Sequence, residues 1–274
     1  MGRALELISG RVTAPGATFT AATMAAGNSL QIRSAPLESD IRLISVWADN
    51  QVAGALRLRS PRMHDNVRGL QYDVSIGEVA PLMPLGAYQR LFTQDTLIAE
   101  MTGSAAAGDL ENFAALIYYA NLPGADARLA TWEEVQRRMS HVVTVDLSIT
   151  TGAGGGYTGE EAINAESDLL HANTDYAWLG YTVDTECCAI RMRGIDFGNL
   201  GIGGPGHDGL RHLTSNWWVR LSQALGIGLI PVFNSANRAG LLVDAVQDEN
   251  AAAVGLTIML AELTGGPGAP AAGR

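Results

Sequence analysis

The groupings in this chain with chemical potential are a glycine run, two histidine neighbourhoods, a cysteine pair, paired carboxylates and a tryptophan pair. Gly152-Ala153-Gly154-Gly155-Gly156 follows a strand-like stretch and precedes a helix-like one, the layout of a dinucleotide phosphate loop. The sixth position of that fingerprint is Tyr157 instead of Gly, and the preceding strand alternates. A Rossmann first strand is covered on both faces and is apolar throughout. The run is therefore read as a connection. His207 and His212 flank Asp208, but a spacing of five does not put two imidazoles on one helix face, and no third ligand stands near. His64 beside Asp65 sits in a turn. These histidines are read as surface or capping residues. Neighbours on a strand point to opposite faces, so Cys187 and Cys188 make a poor disulfide with each other and read as small apolar strand residues. Such a pair suits a reducing cytoplasm. Asp109/Glu111 and Asp248/Glu249 stand where apolar runs begin, as turn closers or caps of backbone amides. No G-x-S-x-G occurs, and the basic residues are all Arg. A P-loop or Schiff-base lysine is thereby excluded. The expectation is no catalytic residue, no cofactor, no metal and no enzyme.

The elements that hold these residues are mostly strands. Val143, Val145, Leu147 and Ile149 alternate with Thr144, Asp146, Ser148 and Thr150, the period-two mark of a half-buried strand. Leu56 and Leu58 alternate with Arg57 and Arg59, as Ile190 and Met192 do with Arg191 and Arg193. Each pair of arginines thus faces outward while the aliphatics face a core. Phe113–Leu122 and Ala251–Leu263 are apolar runs of buried-strand length. Turn signals such as Pro15-Gly16, Asp49-Asn50, Pro123-Gly124 and Gly204-Pro205-Gly206 separate short strands, which suggests a sandwich or barrel and not βαβ units. Helices are few. Thr131 and Glu134 make a capping box for a helix from about Trp132 to Met139. Thr158 and Glu161 suggest a second over Ala162–Leu170. Leu210, Leu213, Trp217, Leu221 and Ala224 fall on one face of a helix over about 209–225, and Leu85, Tyr88, Leu91 and Phe92 on a shorter one.

At 274 residues with 47% hydrophobic and 17% charged, the chain has ample core material for one large or two ordinary domains. The net charge of −10 argues against a general nucleic-acid binder. Met1–Glu6 lacks the apolar core of a secretory signal, and no apolar run is long enough to predict a membrane-spanning helix.

Two stretches read as duplicates. Ala55-Leu56-Arg57-Leu58-Arg59 reappears as Ala189-Ile190-Arg191-Met192-Arg193; at the same offset Trp47 falls on Tyr181 and Gly69 on Gly203. Leu82-Met83-Pro84-Leu85 is echoed by Leu229-Ile230-Pro231-Val232, and Asp109-Leu110-Glu111-Asn112 by Asp248-Glu249-Asn250. The order is kept while the offset drifts, as insertions between duplicated units produce. The expected units span 1–124 and 142–263, with a helical linker at 125–141 and a flexible low-complexity tail at 264–274.

Two tandem, mostly stranded units with these echoes resemble a double jelly roll: all-β, with a few short helices and two β-sandwiches in one chain. A two-domain cupin needs an H-x-H pair with later Glu and His, and His64 and His207 are isolated. In length and organisation the chain resembles the double jelly-roll major capsid proteins of tailless, membrane-containing icosahedral bacteriophages. That resemblance implies a homotrimer forming a pseudo-hexameric capsomer, partners limited to itself, other capsid or vertex proteins and a possible internal membrane, and no specific nucleic-acid binding. It implies synthesis in the host cytoplasm and a place in the virion capsid. Candidate interface residues are Arg57, Arg59, Arg191 and Arg193, pairing with carboxylates of a neighbouring jelly roll, and Trp217 and Trp218. The alternatives are a lectin-like or adhesin-like carbohydrate-binding module, which needs exposed aromatic rings, and a phage accessory or tail protein.

Overall fold

Alternation and turn chemistry produce the same rolled ribbon twice. The computed structural model describes residues 2–25, 27–63, 65–74, 89–150, 156–163, 170–246 and 253–265. The first unit contains β1 (Gly2–Thr13), β2 (Thr20–Ala21), β3 (Thr23–Met24), β4 (Ile41–Asp49), β5 (Gly54–Arg59), β6 (Leu70–Val74), β7 (Gln89–Leu91), β8 (Ile98–Thr102) and β9 (Leu110–Leu122). The second contains β10 (Leu129–Ala130), α1 (Trp132–Arg138), β11 (Met139–Thr150), β12 (Tyr157–Ala162), β13 (Asp175–Val183), β14 (Cys187–Arg193) and β15 (Gly201–Gly206). It continues with α2 (Arg211–Thr214), α3 (Trp217–Leu225), β16 (Ile230–Asn234), β17 (Leu242–Val246) and β18 (Ala253–Leu263).

Sheet orders are β3-β1-β9-β4-β7 and β2-β8-β5-β6 in the first unit, and β10-β16-β13-β18-β11 and β12-β17-β14-β15 in the second. Setting aside the short edge strands β3 and β10, each unit is an eight-strand antiparallel ribbon. Its first strand pairs its eighth, the second its seventh, the third its sixth and the fourth its fifth. Folded over into two sheets, that ribbon is a jelly roll. The chain is therefore all-β with a few short helices, two tandem jelly rolls.

Strand faces explain the core. On β1, Ala4, Ile8 and Val12 join the first unit's own core, as do Phe113, Ala115, Ile117 and Tyr119 on β9. The alternate residues Leu5 and Leu7 on β1, Ile44 and Trp47 on β4, and Ala114, Leu116 and Tyr118 on β9 belong to the second unit's core. The first unit's five-stranded sheet is thus covered on both faces, which is why Phe113–Leu122 reads as an uninterrupted apolar run. Its outer face rests on the second unit's four-stranded sheet. An added Cβ at Gly203 of β15 would come within 2.9 Å of Leu7 Cδ2, so the glycine-rich β15 permits the close approach. Trp47 locks the contact. Its indole Nε1 donates to the Cys188 carbonyl at 2.8 Å, and its ring meets Trp217 edge-on at 6.1 Å.

The duplicated segments Ala55–Arg59 and Ala189–Arg193 are both the fourth ribbon strand, with Leu56, Leu58, Ile190 and Met192 in the cores. Cross-strand register corrects another match. Arg57 lies opposite Gln71 and Arg191 opposite Gly203, so Gly203 corresponds to Gln71 and not to Gly69. Trp47 and Tyr181 share the third ribbon strand but not a face. Tyr181 turns to its own four-stranded sheet, where its hydroxyl donates to the Pro205 carbonyl at 2.8 Å. The 82–85 and 248–250 echoes lie outside the described residues, as do His64, Leu85, Tyr88 and 151–155 of the glycine loop.

Helix α1 begins with both halves of its capping box: Glu134 N–H donates to Thr131 Oγ1 at 3.2 Å and Thr131 N–H to Glu134 Oε2 at 2.7 Å. The other capping box is not one. Thr158 and Glu161 lie in β12, paired with β17, so cross-strand pairing overrides the local signal and the glycine run is followed by a strand. Leu91 is likewise in β7, paired with β4, and not on a helix. The single helix expected over 209–225 is broken into a 3-10 turn at Asp208–Leu210, α2 and α3, which restarts after Asn216 and stops at left-handed Gly226 (φ 65°).

Candidate assembly surfaces

The outward residues of the fourth ribbon strand organise a polar motif that occurs twice. In the first unit Arg57 on β5 stands opposite Glu100 on β8; in the second Arg191 on β14 stands opposite Asp244 on β17. Each guanidinium also lies over an aromatic ring at the second ribbon strand. Arg57 is 4.1 Å from the centroid of Phe19, just before β2, and Arg191 is 3.5 Å from that of Tyr157 on β12. The duplicated motif is therefore an aromatic ring, an arginine and a carboxylate on three adjacent strands.

The two copies differ in what covers them. Arg191 grips Asp244 with two hydrogen bonds, Nε to Oδ1 at 2.9 Å and NH2 to Oδ2 at 2.5 Å, and the carboxylate side chain is 1% exposed. Gly203, opposite Arg191 on β15, is buried against Leu7 of the first unit. Burial pushes the Asp244 carboxyl above its ordinary value despite the arginine. In the first unit Arg57 and Arg59 share Glu100: Arg57 Nε donates at 2.8 Å and Arg59 Nε at 2.9 Å to Oε2. The Arg59 and Arg57 hydrogen bonds hold the Glu100 carboxyl below its ordinary value, with burial opposing. Gln71 and Asp73 on β6, and Thr20 and Ala21 on β2, stand exposed around it. Arg193 pairs with Glu160 of β12.

The five-stranded sheets show the complementary difference. The outward positions of β1 and β9 are apolar and covered, whereas those of β11 are Thr144, Asp146, Ser148 and Thr150, all exposed. Thr257 on β18 hydrogen-bonds to Asp146 there at 2.6 Å.

These positions revise the expected interface in two respects. The carboxylates that pair with Arg57, Arg59 and Arg191 sit on the next strand of the same sheet and not on a neighbouring jelly roll, because cross-strand geometry brings them within reach first. Trp217 and Trp218 are 1% and 0% exposed, so neither ring reaches the surface. Trp217 packs on Trp47, and Trp218 on Trp178 at 5.4 Å, so both sides of α3 meet core. Cys187 and Cys188 are buried thiols outside any disulfide. Of the first-unit carboxylates, Glu111 caps backbone, accepting from Gln51 and Ser104 N–H, while Asp109 accepts from the Ser104 hydroxyl at 2.5 Å.

Two histidine–carboxylate clusters occur among the described residues. His207 Nε2 lies 2.9 Å from Glu186, while its Nδ1 accepts from Gly209 N–H and caps the 3-10 turn. The other joins His141, His171 and Glu262, three residues far apart in sequence; no spacing signal links them, and only the register of β11 and β18 does. No described helix is long and apolar enough to cross a membrane.

No family model matches the chain, and no curated protein matches its sequence. Among solved structures it is similar to the PBSX exported protein XepA at 10% identity and TM-score 0.28, covering 93% of this chain and 86% of that one. It is also similar to the major capsid protein P2 from bacteriophage PM2, at 9% identity and TM-score 0.24 over 96% of this chain and 99% of that one. YhaK from Escherichia coli matches at 11% identity and TM-score 0.22 over 94% and 86%. At such scores none of the three bears on function.

Proposed function

We propose that this chain is a non-enzymatic structural protein of a phage virion, a major capsid protein that assembles through its own jelly rolls as a trimer. The observation that carries this reading is the head-to-tail contact inside the chain. The outer five-stranded face of the first unit rests on the outer four-stranded face of the second. Among the described residues, exposed positions remain around Arg57 and Glu100 in the first unit and along Thr144–Thr150 in the second. A heterologous contact of this kind generates a ring if its rotation closes. With two jelly rolls per chain, a ring of six jelly rolls closes after three chains. The polar character of those exposed positions suits a surface that must stay soluble until it meets its partner, and the net charge of −10 acts the same way.

Arg57 and Arg59 remain interface residues in this reading, while Arg191 plays the corresponding role inside the chain. The carbohydrate-binding alternative loses its aromatic platform with the burial of Trp217 and Trp218. Electron microscopy of concentrated purified protein tests the proposal. Hexagonal plates or closed shells are expected, and dispersed single particles under all assembly conditions would overturn it.

A further inference from the structure

One end of the second unit's five-stranded sheet gathers two imidazoles and a carboxylate. His141 stands near the start of β11, Glu262 near the end of β18, and His171 precedes β13. Glu262 is the cross-strand partner of His141 on one side and of Tyr176 on the other. Its Oε2 lies 2.8 Å from His171 Nδ1 and 3.4 Å from His141 Nε2, and one ligand atom from each of the three residues falls within 4.8 Å of the others. The two rings meet at 75° with centroids 6.2 Å apart, so their nitrogens converge instead of stacking.

A tetrahedral zinc-class ion with bonds of about 2.0–2.2 Å holds its ligand atoms roughly 3.3–3.5 Å apart. The His141–Glu262 separation already has that length, and the His171–Glu262 separation needs to open by about half an ångström. Groups behind the ligands orient them. Ser140 Oγ sits 3.1 Å from His141 Nδ1 and 3.4 Å from Glu262 Oε1, leaving Nε2 of that ring aimed at the carboxylate. The Tyr176 hydroxyl accepts from His171 N–H at 2.8 Å and donates to Glu262 Oε2 at 2.9 Å. Burial pushes that hydroxyl's pKa up to about 12, so it stays a donor at neutral pH.

In the metal-free chain one carboxylate oxygen thus faces the Tyr176 hydroxyl and both imidazoles. A cation can take a lone pair from each imidazole and from that carboxylate, while Tyr176 and Ser140 orient the ligands from behind, as metal ligands require. We propose that His141, His171 and Glu262 form a binding site for a divalent zinc-class transition metal, with a fourth coordination position open to solvent. Bound there, the ion pins the edge strand β11 and the segment before β13 to β18. The Glu186/His207/Asp208 cluster is the internal control, because His207 Nδ1 is already used by Gly209.

The test is titration of the chelator-treated, full-length protein with cobalt(II), followed by displacement with zinc. One equivalent is expected, with the visible absorption of four-coordinate cobalt and a rise in Tm of roughly 5 °C at saturating zinc. His141→Ala and His171→Ala, both at exposed side chains, should each lower affinity at least tenfold, and Tyr176→Phe should lower it about tenfold through lost orientation. His207→Ala should leave binding unchanged. Absence of binding in large molar excess of metal would overturn the proposal, as would binding that survives the His141→Ala/His171→Ala double variant or is abolished by His207→Ala.

Discussion

Arg191 and Arg57 occupy the same place in two copies of one fold, yet the carboxylate facing Arg191 is fully buried while the pair at Arg57 keeps some exposure. Both lie on the fourth strand of a jelly roll, opposite a carboxylate and over an aromatic ring. The Arg191 copy is sealed by β1 and β9 of the first unit, and its carboxylate rises in pKa; the Arg57 copy keeps exposed neighbours and its carboxylate falls. The ion pair is a property of the repeated sheet, and its energetic weight is set by what covers the sheet. An ion pair on a half-exposed face contributes little, whereas breaking a buried one leaves a charge without its partner.

The sharpest way to break this comparison is a pair of alanine variants. Arg191→Ala is expected to cost about 3–5 kcal/mol by stranding Asp244, and Arg57→Ala about 0–1 kcal/mol while Arg59 still holds Glu100. Urea denaturation of dilute monomer checks both. Equal costs would mean that the two faces are equally covered. Trp47→Ala removes the bolt between the units and is expected to cost about 3–5 kcal/mol, read in the same experiment. It should also expose the 125–131 connection to limited proteolysis, which separates loss of the contact from a general loss of core.

A smaller effect distinguishes the two carboxylates by pH. Glu100 has a depressed folded pKa, so its contribution is present above the ordinary value of 4.5 and is lost as the pH falls through the lower folded value. Asp244 has the opposite sign. Its raised folded pKa penalises the ionised native state, and that penalty fades as acid protonates it. Glu100→Gln should therefore lose less stability than wild type between neutral pH and pH below 4.5, measured as urea midpoints across the range. A steeper acid loss in the variant would contradict the assignment. The cap of α1 lies outside both faces: Thr131→Ala should cost about 1 kcal/mol of thermal or urea stability.

Much of this architecture could be read from the chain. The duplicate Ala55–Arg59 and Ala189–Arg193 segments marked equivalent strands, the alternation along β11 gave its buried face, and Thr131/Glu134 gave α1. Local signals failed where tertiary pairing decided. Thr158 and Glu161 look like a cap but pair with β17, and the 209–225 stripe looks like one helix but breaks at Ser215–Asn216. The surface was less legible than the fold. Residue type showed that Arg57 and Arg191 face outward from a strand, but not that the second unit's outward face is closed by the first. Trp217 fell on the apolar stripe of its helix, but the burial of Trp218 against Trp178 could not be read from that stripe. The His141/His171/Glu262 cluster was out of reach, because only strand register brings those residues together.

In the proposed assembly the Arg57/Glu100 face of one chain receives the Thr144–Thr150 face of another. Native mass determination across a concentration series tests it most directly. A trimer of the 28.8 kDa chain, lost on Arg57→Glu/Arg59→Glu substitution while the monomer stays folded, is the predicted result. A wild-type protein that stays monomeric at every concentration would contradict it.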